Sequence, residues 1–267
     1  MGNADPNPPA PPAVGRRELL AGGLGGVAGL AAGAVLGRTL LARPAVAAKT
    51  PEKGVRTSYA QFGDDLVADS LFKGLGIGEP TYLDIGAADP VFGNNTYHAY
   101  LEGSRGVLVE PDVAHTDRLK TVRPDDKLLV AGIGIDDATE ADFYVMSSPG
   151  LNTFDKGQAE RLDRETEHKI VRVVKLPLLN INRVIAEHLG GRAPDFLSID
   201  IEGLEFAVLK TLDLSRYRPK LIVADTLVTG TTRHHPETTP YLVGHNYEVR
   251  GMTFSNTFYV DKAILRG

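Results

Sequence analysis

Three carboxylates crowd the stretch FLSIDIEGLE, residues 196–205: Asp200, Glu202 and Glu205. Phe196, Leu197, Ile199 and Ile201 around them read as a buried strand. A buried carboxylate is costly unless something pairs with it. Acids gathered at the tip of a core strand suit a short list of tasks. A carboxylate favours a neighbouring positive charge. Two close carboxylates raise one pKa and make a base near neutral pH, or they offer oxygen ligands to Mg²⁺, although nothing in the sequence requires a metal. Asp200 and Glu202 lie two residues apart, so in extended geometry they share a face, and both are assigned to a site. The alternative for Glu202 is to cap a helix beginning at Gly203, whose N-terminus favours its charge. Glu205, one turn further, reads as a partner in that helix start.

Two other strand ends carry acids. YLDIGAADP, residues 82–90, supplies Asp84, Gly86 and Asp89, and VLVEPD, residues 107–112, supplies Glu110, 24 residues after Gly86. An acid at the tip of a second strand can accept hydrogen bonds from both ribose hydroxyls of a nucleoside cofactor. Gly86 lets the first loop pass close to that ligand, because a Cβ would intrude. The G-x-G-x-x-G fingerprint of dinucleotide sites is missing, and an acid stands where a pyrophosphate would lie. Asp84 and Asp89 suit a cationic, phosphate-free ligand, which points to S-adenosylmethionine rather than NAD. The plainer alternatives are a helix-capping Asp84 and a Glu110 solvated before the turn at Pro111.

The elements that must hold these residues follow from hydrophobic pattern. Runs at 81–85, 106–110, 127–133, 196–201 and 220–224 are almost continuously apolar, as expected of parallel strands covered on both faces. Helical patterns near 95–103, 112–122, 180–189 and 203–212 separate them. The alternation predicts an α/β fold, Rossmann-like, with a mostly parallel, doubly wound sheet. Ligands of such sheets bind at the carboxyl ends of strands, where the strand order reverses. Residues 141–146 and 169–176 read as extra strands around an irregular insert, and 247–253 with 256–262 as a closing antiparallel β-hairpin.

Of the 267 residues, 42% are hydrophobic and 24% charged, ordinary for a globular chain. There is no cysteine, which excludes disulfides, thiolate nucleophiles and thiolate metal sites. Residues 1–47 differ from the rest. A Pro/Ala-rich lead precedes Arg16 and Arg17, an apolar Gly/Ala/Leu run over 19–36 and a small-residue cleavage point after Ala47. This reads as an export signal of the twin-arginine type. The alternative is an uncleaved anchor touching a membrane through residues 19–41 and leaving the domain on the cytoplasmic face. Residues 48–58 are assigned to a linker and 59–267 to the folded domain. The leader holds four of the 29 basic and two of the 34 acidic residues, so the remainder carries −7. An acidic domain without a basic stripe is a poor nucleic-acid binder.

Taken together, LDIGAADPVFGNNTYHAYLEGSRGVLVEPD and FLSIDIEGLEFAVLKTLDLSRYRPKLIVAD resemble the FkbM family of S-adenosylmethionine-dependent methyltransferases. The resemblance runs from about Tyr59 to Lys262 and is most specific at D-I-E-G-x-E. It implies a class I methyltransferase fold and methylation of hydroxyl groups on small molecules, sugars or glycolipids. It places Asp84, Gly86 and Ala87 in the cofactor loop, Glu110 at the ribose, Gly132 and Ile133 near the adenine, and Asp200 and Glu202 beside the transferred methyl. Relatives carry an Asn-His pair where this chain has Ala88-Asp89, and a Glu after the fifth strand where it has Asp225. Those departures, together with an exported location, keep open a non-catalytic binding protein of the same fold. An NAD-dependent oxidoreductase is opposed by the missing fingerprint.

The histidines and asparagines stay ambiguous at this level. His98 falls on a helix expected to border the cofactor cleft, where it is either packed or a base. His234 and His235 occupy a loop after the fifth strand, where such folds build the acceptor pocket, and are either solvated, a base or metal ligands. Asn94 and Asn95 either hold the cofactor loop by local hydrogen bonds or form a turn. A G-x-S-x-G elbow and an H-E-x-x-H helix are both missing, which removes the common hydrolase readings.

Overall fold

Tyr82–Ile85 (β1) and Phe196–Ile199 (β7) are buried along their whole length, a state reached by strands in the middle of a sheet covered on both faces. The computed structural model describes residues 54–265. They run through α1 (Asp64–Gly74), β1, α2 (Tyr97–Leu101), β2 (Gly106–Val109), α3 (Val113–Val122), β3 (Lys127–Leu129) and β4 (Gly132–Ile133). Next come β5 (Glu140–Met146), α4 (Lys156–Glu165), β6 (Ile170–Leu179), α5 (Ile181–His188), β7, α6 (Glu205–Thr211) and β8 (Leu221–Asp225). The order closes with α7 (Thr238–Gly244), β9 (Tyr247–Met252) and β10 (Asn256–Asp261). Seven strands form one sheet in the order β3-β2-β1-β7-β8-β10-β9. The first five are parallel; β10 is antiparallel to both β8 and β9.

Alternation along the strands sorts the core into two layers. Leu83, Ile85, Leu197 and Ile199 face α5, α6 and α7 through Ile185, Leu209 and Leu242. Tyr82, Leu108, Phe196 and Val223 face α1 and α3 through Phe72 and Leu119. The strand order reverses between β1 and β7, whose ends are stitched by the Asp200 N–H donating to the Ile85 carbonyl at 3.0 Å. That reversal is the switch point at which the fold places its ligands.

The α/β class, the mostly parallel sheet and the closing hairpin are those read from the sequence. Several element boundaries are not. The run 127–133 is not one strand: β3 stops at Leu129, and Gly132–Ile133 leaves the main sheet to pair with β6. There β4, β5 and β6 make a separate three-stranded sheet. The helix expected over 95–103 shrinks to Tyr97–Leu101, because Asn94, Asn95 and Thr96 are drawn into side-chain hydrogen bonds before it. The irregular insert, residues 147–158, ends in the first turn of α4, started by Asp155, whose carboxylate accepts from the Gln158 N–H. Helices α1 and α7 were also not anticipated.

The leader, its cleavage point and its candidate anchor lie outside the described residues. Among those described, no helix is long and apolar enough to cross a membrane.

Candidate functional site

A cleft of about 1080 Å³, counting its open mouth, lies at the carboxyl ends of β1, β2 and β7. Gly86, Glu110, Gly132, Ile133, Asp200 and Glu202 line it, as do Asp89, Phe92, His115, Phe143, Phe154 and Leu204. The small sheet supplies one wall: Phe143 on β5 packs on Phe154 with ring centroids 4.8 Å apart. Among the described residues, none that lines the cleft is Lys or Arg.

Two of the predicted cofactor residues are not brought to this wall. Asp84 is 3% exposed, because its position in β1 turns it toward the α3 layer rather than toward the strand ends. It accepts from the Thr96 hydroxyl at 2.6 Å and lies 3.9 Å from the Arg123 guanidinium. It caps no helix either. Ala87 packs into the apolar layer against α1 and α3. Both act behind the loop. Asn94 completes the support, donating to the carbonyls of Ala87 and Asp89 while its own carbonyl accepts from Arg123 at 3.0 Å.

Gly86 has a φ of +87°, and a Cβ there would stand 1.8 Å from the Asp200 carbonyl oxygen. The first loop therefore needs glycine to cross the end of β7, a reason that lies in the protein itself rather than in a ligand. Glu110 is buried, and its two oxygens accept from the Ala88 and Asp112 N–H groups, each at 2.7 Å. It fastens the first loop to the second, with lone pairs left on the cleft side. Burial pushes its carboxyl up to about 7, against the pull of those two N–H donors.

At the centre stands the acidic turn. Ile199 is the last residue of β7, and Glu202 adopts φ +58°, so Asp200 and Glu202 do not share an extended face. This corrects the spacing argument: the strand ends at Ile199, before either acid. Glu202 does not cap α6, which starts at Glu205. Its Oε2 accepts instead from the Thr229 hydroxyl at 3.0 Å and from the Gln158 amide at 3.3 Å. Glu205 is buried and holds the turn, accepting from the Ile201 N–H at 2.9 Å and the Gly203 N–H at 3.0 Å.

The turn and Asp225, at the end of β8, form one electrostatic group. Burial raises the Asp200 carboxyl well above the usual range, and Asp225, Glu202, Glu205 and Asp84 raise it further. Glu202 is pushed up to about 7 by burial, with the Thr229 hydroxyl the strongest opposing influence. Asp225 is pushed up to about 8, first by burial and then by the Glu205 charge. Among the described residues no ion pair is made by any of the four, and no group of three or more His, Asp or Glu is arranged to hold a metal.

The histidines read from the sequence lie off the cleft wall. His98 faces a smaller hollow between α1 and α2, with Nε2 4.0 Å from Asp69. His234 pairs through Nδ1 with the Thr226 hydroxyl at 2.8 Å, and the His235 N–H donates to the Thr226 carbonyl, closing the loop after β8. His235 lies close enough to Glu205 for its charge to act there. Residues that sequence reasoning missed include Gln158, Thr229, Phe143 and His115. The two that touch Glu202 come from segments without a regular pattern, and nothing in residue spacing announces them.

Comparison with known proteins follows this geometry. Residues 84–249 match the model of the methyltransferase FkbM domain. A search of curated protein sequences returned no match. Among solved structures, the chain is similar to a TehB-like SAM-dependent methyltransferase from Corynebacterium glutamicum (TM-score 0.40, 10% identity, covering 76% of this chain and 89% of that one). It is also similar to an O-methyltransferase from Bacillus cereus in complex with SAH (TM-score 0.36, 12% identity, 79% and 84%). With 84–249 spanning more than half of its length, the chain belongs to the FkbM methyltransferase family.

Proposed function

We propose that the protein is an S-adenosylmethionine-dependent methyltransferase acting on a hydroxyl group of a small molecule, a sugar or a glycolipid. One observation carries this reading: Asp200 and Glu202 line the cleft, Asp225 lies close enough for its charge to act on both, and all three have raised carboxyl pKa values and no ion-pair partner among the described residues. Half-buried acids crowded together without a cation are costly, through desolvation and mutual repulsion. The cost is recovered when a positively charged ligand arrives.

The lining fits that cofactor. Glu110 offers lone pairs for ribose hydroxyls, Ile133, Phe143 and Phe154 offer an apolar face for a base, and Asp200 offers a carboxylate to a sulfonium. Among the described residues, a pyrophosphate would find no Lys or Arg side chain on the cleft wall, which disfavours NAD. When bound, S-adenosylmethionine supplies an electrophilic methyl group. The protein has to orient an acceptor in line with it and remove the hydroxyl proton. Glu202, with its carboxyl near 7, is the group suited to take that proton. Asp200 holds the positive end of the cofactor, giving up its proton as that charge arrives. The experiment is Asp200→Ala. A folded protein that no longer binds S-adenosylmethionine is expected; a variant that binds it as well as the parent contradicts the placement.

A further inference from the structure

Helix α4 belongs to no motif that pointed to the site, yet it touches the acidic turn. Gln158 and Arg161 are three residues apart and share a face of α4. The Gln158 amide donates to the Glu202 carbonyl oxygen at 2.7 Å and to the Thr229 hydroxyl at 3.1 Å. The Thr229 hydroxyl in turn donates to Glu202 Oε2 at 3.0 Å. Arg161 donates to the Thr229 carbonyl oxygen at 2.9 Å, so both the backbone and the side chain of Thr229 are held from one helix. Thr153, before α4, adds a second donor to the Glu202 carbonyl at 2.8 Å.

This web explains a strained backbone. Glu202 sits at φ +58°, where a residue with a Cβ persists only if its surroundings over-determine it. Gly203 follows at φ +112°, and a Cβ there would be 2.8 Å from the Gln158 side-chain oxygen. Gln158 therefore packs flat on the glycine while its amide reaches the residue before it. All recorded hydrogen bonds to the Glu202 carboxylate end on Oε2; among the described residues none reaches Oε1.

We propose that Gln158 and Thr229 are positioning residues that lock Glu202 in its left-handed turn and commit Oε2, so that Oε1 is presented to the acceptor's hydroxyl. This rests on Glu202 being the base. The charged groups around it come from several elements: Asp200 and Glu205 in the same turn, Asp225 on β8, Asp155 and Arg161 at α4, and His235 beside Glu205. Both positioning donors stabilise the ionised carboxylate, and Asp200, Glu205 and Asp225 oppose it.

The test needs no acceptor. Full-length protein labelled with ¹³C-glutamate is titrated by NMR, the Glu202 carboxyl signal being the one lost in Glu202→Gln. The signal is expected to titrate near 7 in the parent. In Thr229→Val and in Gln158→Leu its midpoint should rise by about half a unit or more, and Thr229→Ser should return it toward the parent. S-adenosylmethionine affinity should stay within about twofold, since neither side chain meets the cofactor's charge. If Gln158→Leu does not fold, Thr229→Val decides alone. An unmoved midpoint overturns the proposal while leaving Glu202 as base. A parent Glu202 signal that titrates at the ordinary carboxylate value of about 4 overturns it from beneath, by removing Glu202 as the base, whatever the variants do.

Discussion

Two sets of acids, one buried and one mostly half-buried, lie on either side of the first loop, and they are balanced in opposite ways. Behind the loop, Arg123 is 1% exposed and bonds Asp126 at 2.8 Å, Asn94 at 3.0 Å and Thr96 at 2.9 Å, with Asp84 at 3.9 Å. Tyr82 closes this network, donating to Asp126 at 2.6 Å. In front of the loop, Glu202, Glu205 and Asp225 accept from neutral donors, and neither they nor Asp200 have an ion-pair partner among the described residues. The first set holds its own cation and serves the fold. The second has no such cation among the described residues, and on the proposed reading a ligand's positive charge completes it. The same residue type thus does structural work where a cation is built in and is available for binding where one is not.

Breaking the complete set should have the larger effect. Arg123→Met leaves Asp84 and Asp126 buried without their cation, and a loss of about 3–5 kcal/mol is expected in denaturant unfolding. A loss below about 1 kcal/mol would show that the network is not structural.

The incomplete set should respond with the opposite sign. Asp200→Asn removes one charge from a crowded group, so the empty protein should gain on the order of 1 kcal/mol at pH 8 while its affinity for S-adenosylmethionine falls. Equal stability losses in both variants would erase the distinction.

Acidity gives a third handle. Glu110 and Glu202 titrate near 7 and Asp225 near 8 in the folded protein, against about 4 for unfolded carboxyls. Between those values the folded chain binds more protons than the unfolded one, so this contribution to stability falls as pH rises from about 4 to 8. Thermal melts across that range should show the decline, and Asp225→Asn should flatten it. A melt that improves with pH throughout would contradict the raised values.

The smallest effect is expected at the rim. Asp89 pairs with Arg118, an exposed partner, while its Oδ1 accepts from the Val91 and Phe92 N–H groups at 2.8 Å. Asp89→Asn keeps those two bonds and loses only the ion pair, which is worth less than about 1 kcal/mol. A larger loss in denaturant unfolding would place Asp89 with the structural set.

The comparison also shows what was legible beforehand. Apolar runs such as YLDI and FLSI announced the central strands, because burial on both faces leaves no room for a polar alternation. The acids at their tips announced the cleft. The sequence could not say which side of the loop each acid would face: Asp84 and Glu110 look alike in a string, yet one meets Arg123, 39 positions downstream, and the other meets backbone N–H groups. Gln158 and Thr229 were invisible for the same reason, since they reach Glu202 across 44 and 27 positions. Gly86 was noticed for a ligand's sake and proves necessary for the Asp200 carbonyl.

The central claim is that the acids in front of the loop await a cationic cofactor. Calorimetric titration of the full-length protein with S-adenosylmethionine, S-adenosylhomocysteine and NAD, in two buffers of different ionisation heat, tests it most directly. The account predicts binding of the first two, none of NAD, and proton release with S-adenosylmethionine as its charge lowers the carboxyl pKa values. Silence toward both methyl-cycle ligands, or binding of NAD alone, would contradict it.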